Sequence, residues 1–157
     1  DPQYGLMLPF PGVRATHALA DREVMRVGSL ALTAHFTGGH TPGGTTWSWR
    51  SCDEAGQCRE IVYADSQTPI SDDSFRFTSG ERYPTVLADF ERGLSRLETM
   101  NCDILVTPHP ALAGLFDRLT RRDAGDAEAF RDAGACRALA AGARRRLADR
   151  LARERNP

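Results

Sequence analysis

Two of the four histidines stand in loops whose neighbours restrict the backbone, which suits them to bind a metal ion. His40 lies in a Thr-Gly-Gly-His-Thr-Pro-Gly-Gly run, where glycines allow close backbone approach and proline fixes the loop. His109 is flanked by Pro108 and Pro110, so its backbone is restricted on both sides. Neutral imidazole is the commonest nitrogen ligand of zinc. Either histidine alone is typical of an ordinary loop, but the pair favours a metal site.

Both histidines follow segments whose composition predicts β-strands. The alternation of apolar residues and the turn signals between them indicate strands over residues 24–27, 30–36, 45–50, 60–64 and 103–106. Because residues at strand ends project from a rigid sheet, we expect His40 and His109 to face a cleft at its edge.

The remaining segments predict loops and helices around these strands. Apolar residues recur at three- and four-residue spacing after Pro84, and the sequence beyond residue 110 is rich in Ala and Arg. The predicted organisation is a loop over residues 1–22, strands over 23–64, a helix over 84–100, a strand and histidine loop over 103–110, and a helix over 126–154.

Composition narrows the class of protein. The 157 residues carry a formal net charge of -1, which argues against a nucleic-acid partner, since such proteins normally show a basic surplus. No apolar run approaches the ~20 residues of a membrane helix, so we expect no membrane partner either.

The four cysteines allow two disulfides. Cys52 and Cys58 bracket a polar stretch between two predicted strands, where a bridge would close a hairpin. Cys102 precedes a strand and Cys136 enters the long helix, so a second bridge would join helix to sheet. Four buried thiols fit the spacing equally well. Two bridges would indicate an oxidising compartment, and hence a periplasmic or secreted protein.

The order of motifs resembles that of the metallo-β-lactamase superfamily. The residues that carry the resemblance are the Gly39-His40-Thr41-Pro42-Gly43 loop within residues 33–45, and residues 63–66, 82–84 and 102–110. Together they are similar to the zinc β-lactamases of the third subclass, in which serine replaces the zinc-binding cysteine of the first. The resemblance implies an α/β (α+β) fold: half of an αββα sandwich, with a mixed sheet flanked by helices.

The resemblance also implies roles for individual residues. His40 would bind the first zinc and His109 the second. Ser66 stands where a serine orients water near the second zinc, and Thr68 where a hydroxyl contacts the carboxylate of the substrate. Cys102 and Cys136 stand where the subclass has its helix-to-sheet disulfide. No catalytic side chain beyond these is implied within the chain.

Other polar residues near these motifs are expected to play lesser parts. Asp65 is expected to cap a turn rather than bind metal. Gln3 and Tyr4 lie in a segment that would border the cleft. His35 is expected to pack within a strand, and His17 to lie on the surface.

The implied activity is hydrolysis of the β-lactam amide of penicillins, cephalosporins or carbapenems, with two zinc ions as cofactors. Zinc lowers the pKa of bound water, so that hydroxide is present near neutral pH. Two other functions stay open: a lactonase or glyoxalase-like thioesterase, which Ser66 and the cysteine pair disfavour, and a non-catalytic module whose Arg-rich helix binds a partner.

Four further zinc ligands of this superfamily come from a histidine-x-histidine-x-aspartate-histidine motif that the chain does not contain. His40 and His109 would then supply one of three ligands to each zinc. We therefore expect a C-terminal half that is inactive alone and needs an N-terminal half as its partner. Such a half would expose the apolar face that packs on its complement.

Overall fold

A computed structural model describes residues 1–4, 6, 8 and 11–156, so Gly5, Met7, Pro9, Phe10 and Pro157 lie outside the described residues, as does that part of the loop predicted over residues 1–22. The elements in chain order are β1 (Val24–Val27), β2 (Leu30–Phe36), β3 (Thr45–Cys52), β4 (Cys58–Tyr63), α1 (Val86–Thr99), β5 (Ile104–Val106), a 3₁₀ turn (Pro110–Ala113), α2 (Leu115–Asp123) and α3 (Ala135–Arg155).

The five strands form one mixed sheet in the order β1-β2-β3-β4-β5. The first four are antiparallel neighbours, whereas β5 pairs with β4 in parallel. Helices α1 and α3 pack together against one face. The predicted fold class, a mixed sheet flanked by helices, is confirmed.

Local sequence explains the two hairpins of this sheet. The β1–β2 turn uses Gly28 at a φ of 60°, a left-handed conformation that glycine adopts without steric cost. The β3–β4 loop is held by the Asp53 carboxylate, which accepts the Gln57 backbone N–H at 2.8 Å. Cys52 and Cys58 oppose each other at the base of this loop and form the hairpin disulfide.

The core lies between the sheet and the two long helices. Its fully buried members from sheet and helices are Val62, Ala64, Leu94, Leu97, Cys136 and Ala140. The helix-to-sheet disulfide, Cys102–Cys136, joins the start of β5 to the first turn of α3. A second cluster of Phe75, Phe77 and Phe90 packs the segment after β4 against α1. The cysteines are therefore paired rather than free thiols.

The opposite face of the sheet carries no helix in the described part of the chain. It presents a shallow apolar groove lined by Met25, Leu30, Leu32, Trp47, Trp49 and Tyr63. Among the described residues, no helix has the length and apolar character needed to cross a membrane.

The long helix begins later than the sequence predicts. Residues 126–134 form turns, and α3 starts at Ala135 rather than at 126. The cause is local competition for backbone N–H groups: the Asp126 and Asp132 carboxylates each accept an N–H two residues ahead, from Glu128 and Gly134. Helix α2 precedes the predicted 126–154 helix and ends at Asp123, ahead of Gly125, which has a φ of 98°.

Candidate zinc and substrate site

The loop that carries His40 connects β2 to β3 and is closed by its own backbone. The Thr37 N–H donates to the Gly44 carbonyl at 2.9 Å, and the Gly39 N–H donates to the Thr41 carbonyl at 3.1 Å. Gly39 has a φ of 126°, and a Cβ there would lie 2.5 Å from Cγ of Phe90. Only glycine therefore lets the loop rest on α1 at the residue before His40.

The His40 imidazole is held by the segment that follows β4. Its Nδ1 lies 2.7 Å from the Thr68 carbonyl oxygen and 3.1 Å from the Thr68 hydroxyl. Because a carbonyl oxygen only accepts hydrogen bonds, this contact places the proton on Nδ1 and leaves the lone pair on Nε2. The Gln3 side-chain amide lies 2.8 Å from that Nε2 and donates to it.

Ser66 and Thr68 lie beside the histidine loop and are both buried, with 7% and 8% of their surface exposed. The Asp65 backbone N–H donates to the Thr46 hydroxyl at 3.3 Å, and the Gln67 side chain donates to the Thr37 carbonyl at 3.1 Å. These links place the residue 65–68 segment alongside the His40 loop.

Asp65 lies against the backbone of the histidine loop. A Cβ at Gly44 would lie 2.7 Å from Oδ2 of Asp65, so the carboxylate packs directly on the loop backbone. Burial raises the pKa of the Asp65 carboxyl above its ordinary value, against opposing effects of the Ser66 and Thr45 backbone N–H groups and of both nearby imidazoles, His40 and His109. The carboxylate interacts with backbone N–H groups, as expected for a turn-capping residue.

His109 lies at the end of β5 with its imidazole exposed. Its backbone is fixed instead: the carbonyl accepts the Thr107 hydroxyl at 2.7 Å and the Leu112 N–H at 2.9 Å. With a proline on either side, His109 thus has a rigid backbone and an imidazole open to the surface that Asp65 also borders.

Solved structures of metallo-β-lactamases superpose on almost the entire chain. Rm3 metallo-β-lactamase is 41% identical with a TM-score of 0.94 over 99% of this chain, and SMB-1, bound to 2-mercaptoethanesulfonate, is 43% identical with a TM-score of 0.90 over 98%. MEM-A1, a subclass B3 metallo-β-lactamase from a soil metagenome library, is 40% identical with a TM-score of 0.93 over 99%. The chain resembles part of a metallo-β-lactamase over almost its entire length. No protein-family model matches it.

The chain spans a little over half of those structures: 57% of Rm3, 58% of SMB-1 and 59% of MEM-A1. The resemblance predicted from the motif order is confirmed, and the coverage is consistent with a C-terminal half. The family name of these neighbours implies use of a metal.

The two histidines fit zinc in the kind of donor they offer but not in number. The tautomer of His40 presents Nε2, and the second nitrogen donates to a carbonyl, the arrangement common in zinc-binding histidines. Within the part of the chain that the structure describes, however, no group of three or more His, Cys, Asp or Glu is placed to hold a metal ion. A catalytic zinc site takes three protein ligands.

The other two histidines serve the fold. His35 in β2 contacts the Ser48 hydroxyl at 2.8 Å, and burial lowers the pKa of its imidazole. His17 pairs with Glu23 at 2.8 Å on the surface. Tyr4 is 80% exposed and does not enclose the site, whereas its neighbour Gln3 reaches His40.

Gln67 is the residue of this site that sequence reasoning misses. A glutamine between Ser66 and Thr68 resembles any polar loop residue, and no spacing rule marks it. Only the fold shows that its side chain, 1% exposed, turns inward to the base of the histidine loop.

Proposed function

We propose that this chain supplies one part of a di-zinc β-lactamase site, His40 for the first zinc and His109 for the second. The remaining ligands would come from the N-terminal half that the family resemblance implies. The observation that carries the proposal is the His40 tautomer, with Nδ1 donating to the Thr68 carbonyl at 2.7 Å, in a chain 40% identical to a subclass B3 enzyme.

When bound, zinc would supply a water of lowered pKa and a Lewis acid for the amide carbonyl of the β-lactam. The chain's own residues hold the imidazoles for this role. The Thr68 carbonyl fixes the proton of His40 on Nδ1 and leaves the lone pair on Nε2. The two prolines beside His109 keep its backbone in place, which lowers the cost of ordering it.

Ser66 and Thr68 would serve the substrate side of the same site. Both hydroxyl residues are buried next to the His40 loop. The Thr68 hydroxyl lies 3.1 Å from Nδ1 of His40, and the family resemblance implies that it would contact the carboxylate of a β-lactam. Ser66 would orient water near the second.

We also propose that the protein acts in the periplasm or outside the cell. All four cysteines are paired, and such bridges form and persist in oxidising compartments. Together with β-lactam hydrolysis, this location would place the enzyme where antibiotics arrive, consistent with a role in resistance.

The test is a chimera in which residues 1–157 replace the matching segment of Rm3. We expect the purified chimera to bind two zinc ions, measured by mass spectrometry of the metal content, and to hydrolyse nitrocefin. His40→Ala and His109→Ala should each abolish hydrolysis and lower zinc content, whereas His17→Ala, a surface control, should change neither.

Three results would overturn the proposal. A folded, zinc-loaded chimera that cleaves lactones or thioesters but no penicillin, cephalosporin or carbapenem would support another hydrolase of this fold. A folded chimera without zinc would support a non-catalytic module. Full activity in His40→Ala would show that the histidine is not a ligand.

A further inference from the structure

We propose that Gln67 is a positioning residue that sets the tautomer of His40. The inference rests on the proposed function, in which His40 binds zinc through Nε2. Gln67 does not touch His40; it acts through the Thr68 carbonyl, the next carbonyl along the chain from its own.

The Gln67 side chain ends at the backbone of Thr37. Its Nε2 donates to the Thr37 carbonyl at 3.1 Å, across the base of the histidine loop. Thr37 is fully buried, and its hydroxyl lies 2.9 Å from the Thr46 hydroxyl. On its other side α1 approaches closely, because a Cβ at Gly93 would lie 3.0 Å from Cα of Thr37. Gln67 is therefore attached to a rigid point.

The hydrogen bond from Gln67 to Thr37 helps to hold the residue 65–68 segment against the histidine loop. Hydrogen bonds join residues 37–46 to residues 65–68 at several points, and three of them are Asp65 to Thr46, Gln67 to Thr37, and His40 to the Thr68 carbonyl. The first two are made by chain segments packed on the core. The third link involves the zinc-ligand candidate, and the side chain of Gln67 anchors the peptide immediately before it.

The Gln67 amide itself is only partly satisfied. The Oε1 of Gln67 is buried and has no hydrogen-bond partner among the described residues. An unsatisfied buried acceptor is unfavourable, and an apolar side chain of similar size would remove it, but it would also leave the buried Thr37 carbonyl without the Gln67 donor. The amide thus loses free energy through Oε1, while its Nε2 satisfies the Thr37 carbonyl and ties the Thr68 segment to the histidine loop.

Gln67→Met tests the hydrogen bond to Thr37, because methionine keeps the length of the side chain and loses the N–H donor. In the metal-free chimera, ¹⁵N spectra of labelled histidine should show His40 protonated on Nδ1 in the parent and a mixture of tautomers in Gln67→Met. Zinc affinity should fall about 10- to 100-fold, the usual effect of losing a residue that orients a ligand. The thermal midpoint should fall, because the buried Thr37 carbonyl loses its donor. Gln57→Met, at an exposed hairpin position, is the matched control and should leave all three readings unchanged.

An unchanged His40 tautomer in folded Gln67→Met would overturn the inference, whatever happens to activity. If Gln67→Met does not fold, Gln67→Asn gives the same test, since it keeps an amide but is one methylene too short to reach Thr37. The tautomer is read without zinc or substrate. A chimera that fails to hydrolyse β-lactams but shows the tautomer change would refute the proposed function and keep the role of Gln67.

Discussion

Gly39→Ala should destabilise the protein strongly, and the structure separates the effect into two parts. The backbone at Gly39 has a φ of 126°, where a side chain is strained by about 1–3 kcal/mol. The added methyl would also lie 2.5 Å from the Phe90 ring, and overpacking of this kind costs about 1–3 kcal/mol. The sum, about 2–6 kcal/mol, is a large fraction of the about 5–15 kcal/mol by which domains are stable.

Urea unfolding of the chimera, followed by circular dichroism, measures this loss. Gly43→Ala is the matched control from the same loop, because nothing lies within 4 Å of its added methyl and its φ is not positive. We expect it to change the free energy of unfolding by less than about 1 kcal/mol. Combining Gly39→Ala with Phe90→Leu should recover the packing part and leave the backbone part, as a double-mutant cycle reports.

Unfolding of Gly39→Ala at the same urea concentration as Gly43→Ala would contradict this prediction. A Phe90 substitution that recovers no stability would contradict its packing part, since the close approach of α1 to the loop would then contribute no free energy. A loss of zinc affinity in Gly39→Ala, without a matching loss in Gly43→Ala, would connect this packing to the placement of His40.

Three further predictions concern the helix end, a disulfide and the substrate. The pKa of Glu154 is lowered from its ordinary 4.5: burial opposes the shift, but hydrogen bonds from Arg150 and the residue 77–78 backbone outweigh it. The stabilisation by the Glu154 carboxylate is therefore present above pH 4.5 and is lost as the pH falls through the lower folded pKa. Glu154→Gln should lower the free energy of unfolding by about 1.5–3 kcal/mol at pH 7 and by progressively less in acid, measured by urea unfolding at each pH. A difference that does not change with pH would contradict this. Replacing both cysteines of the helix-to-sheet disulfide with alanine should lower the free energy of unfolding by about 4 kcal/mol in the chain-entropy model, because 34 residues separate them. The same change at the hairpin disulfide, with a separation of 6, should cost about 2 kcal/mol. Equal losses in thermal unfolding would contradict the dependence on loop length. Thr68→Val keeps the backbone carbonyl and removes the hydroxyl, so the His40 tautomer should persist while KM for nitrocefin rises about tenfold; an unchanged KM would remove Thr68 from substrate binding.

Much of the sheet follows from the sequence because its signals are local. The alternation in β1 and β2 and the Gly28 turn predict a hairpin whose observed bounds, Val24–Val27 and Leu30–Phe36, match the predicted strands. The histidine loop is also visible, since several glycines and a proline in one short stretch fit neither helix nor strand. Helix α1, Val86–Thr99, falls within the predicted 84–100 because its apolar spacing is regular.

The features that the sequence does not predict depend on contacts between residues far apart in the chain or on competing local hydrogen bonds. The start of α3 is displaced to Ala135 because two aspartates capture backbone N–H groups in the turns before it, although the composition there favours helix. Gln67 is invisible because its partner, Thr37, is thirty positions away and offers only a backbone carbonyl. The contact of Gln3 with His40 is equally unmarked, since 37 positions separate them.

That contact has a consequence for how a metal would arrive. The same Nε2 lone pair that a cation needs accepts a hydrogen bond from Gln3 in the metal-free chain. Under the proposed function, metal uptake at His40 would exchange one partner for another rather than fill an open position. Without metal, the His40 imidazole keeps its hydrogen bond from Gln3. The measured free energy of metal binding would then be the difference between the metal contact and this hydrogen bond. A Gln3→Ala chain should consequently load at lower metal concentration than its parent.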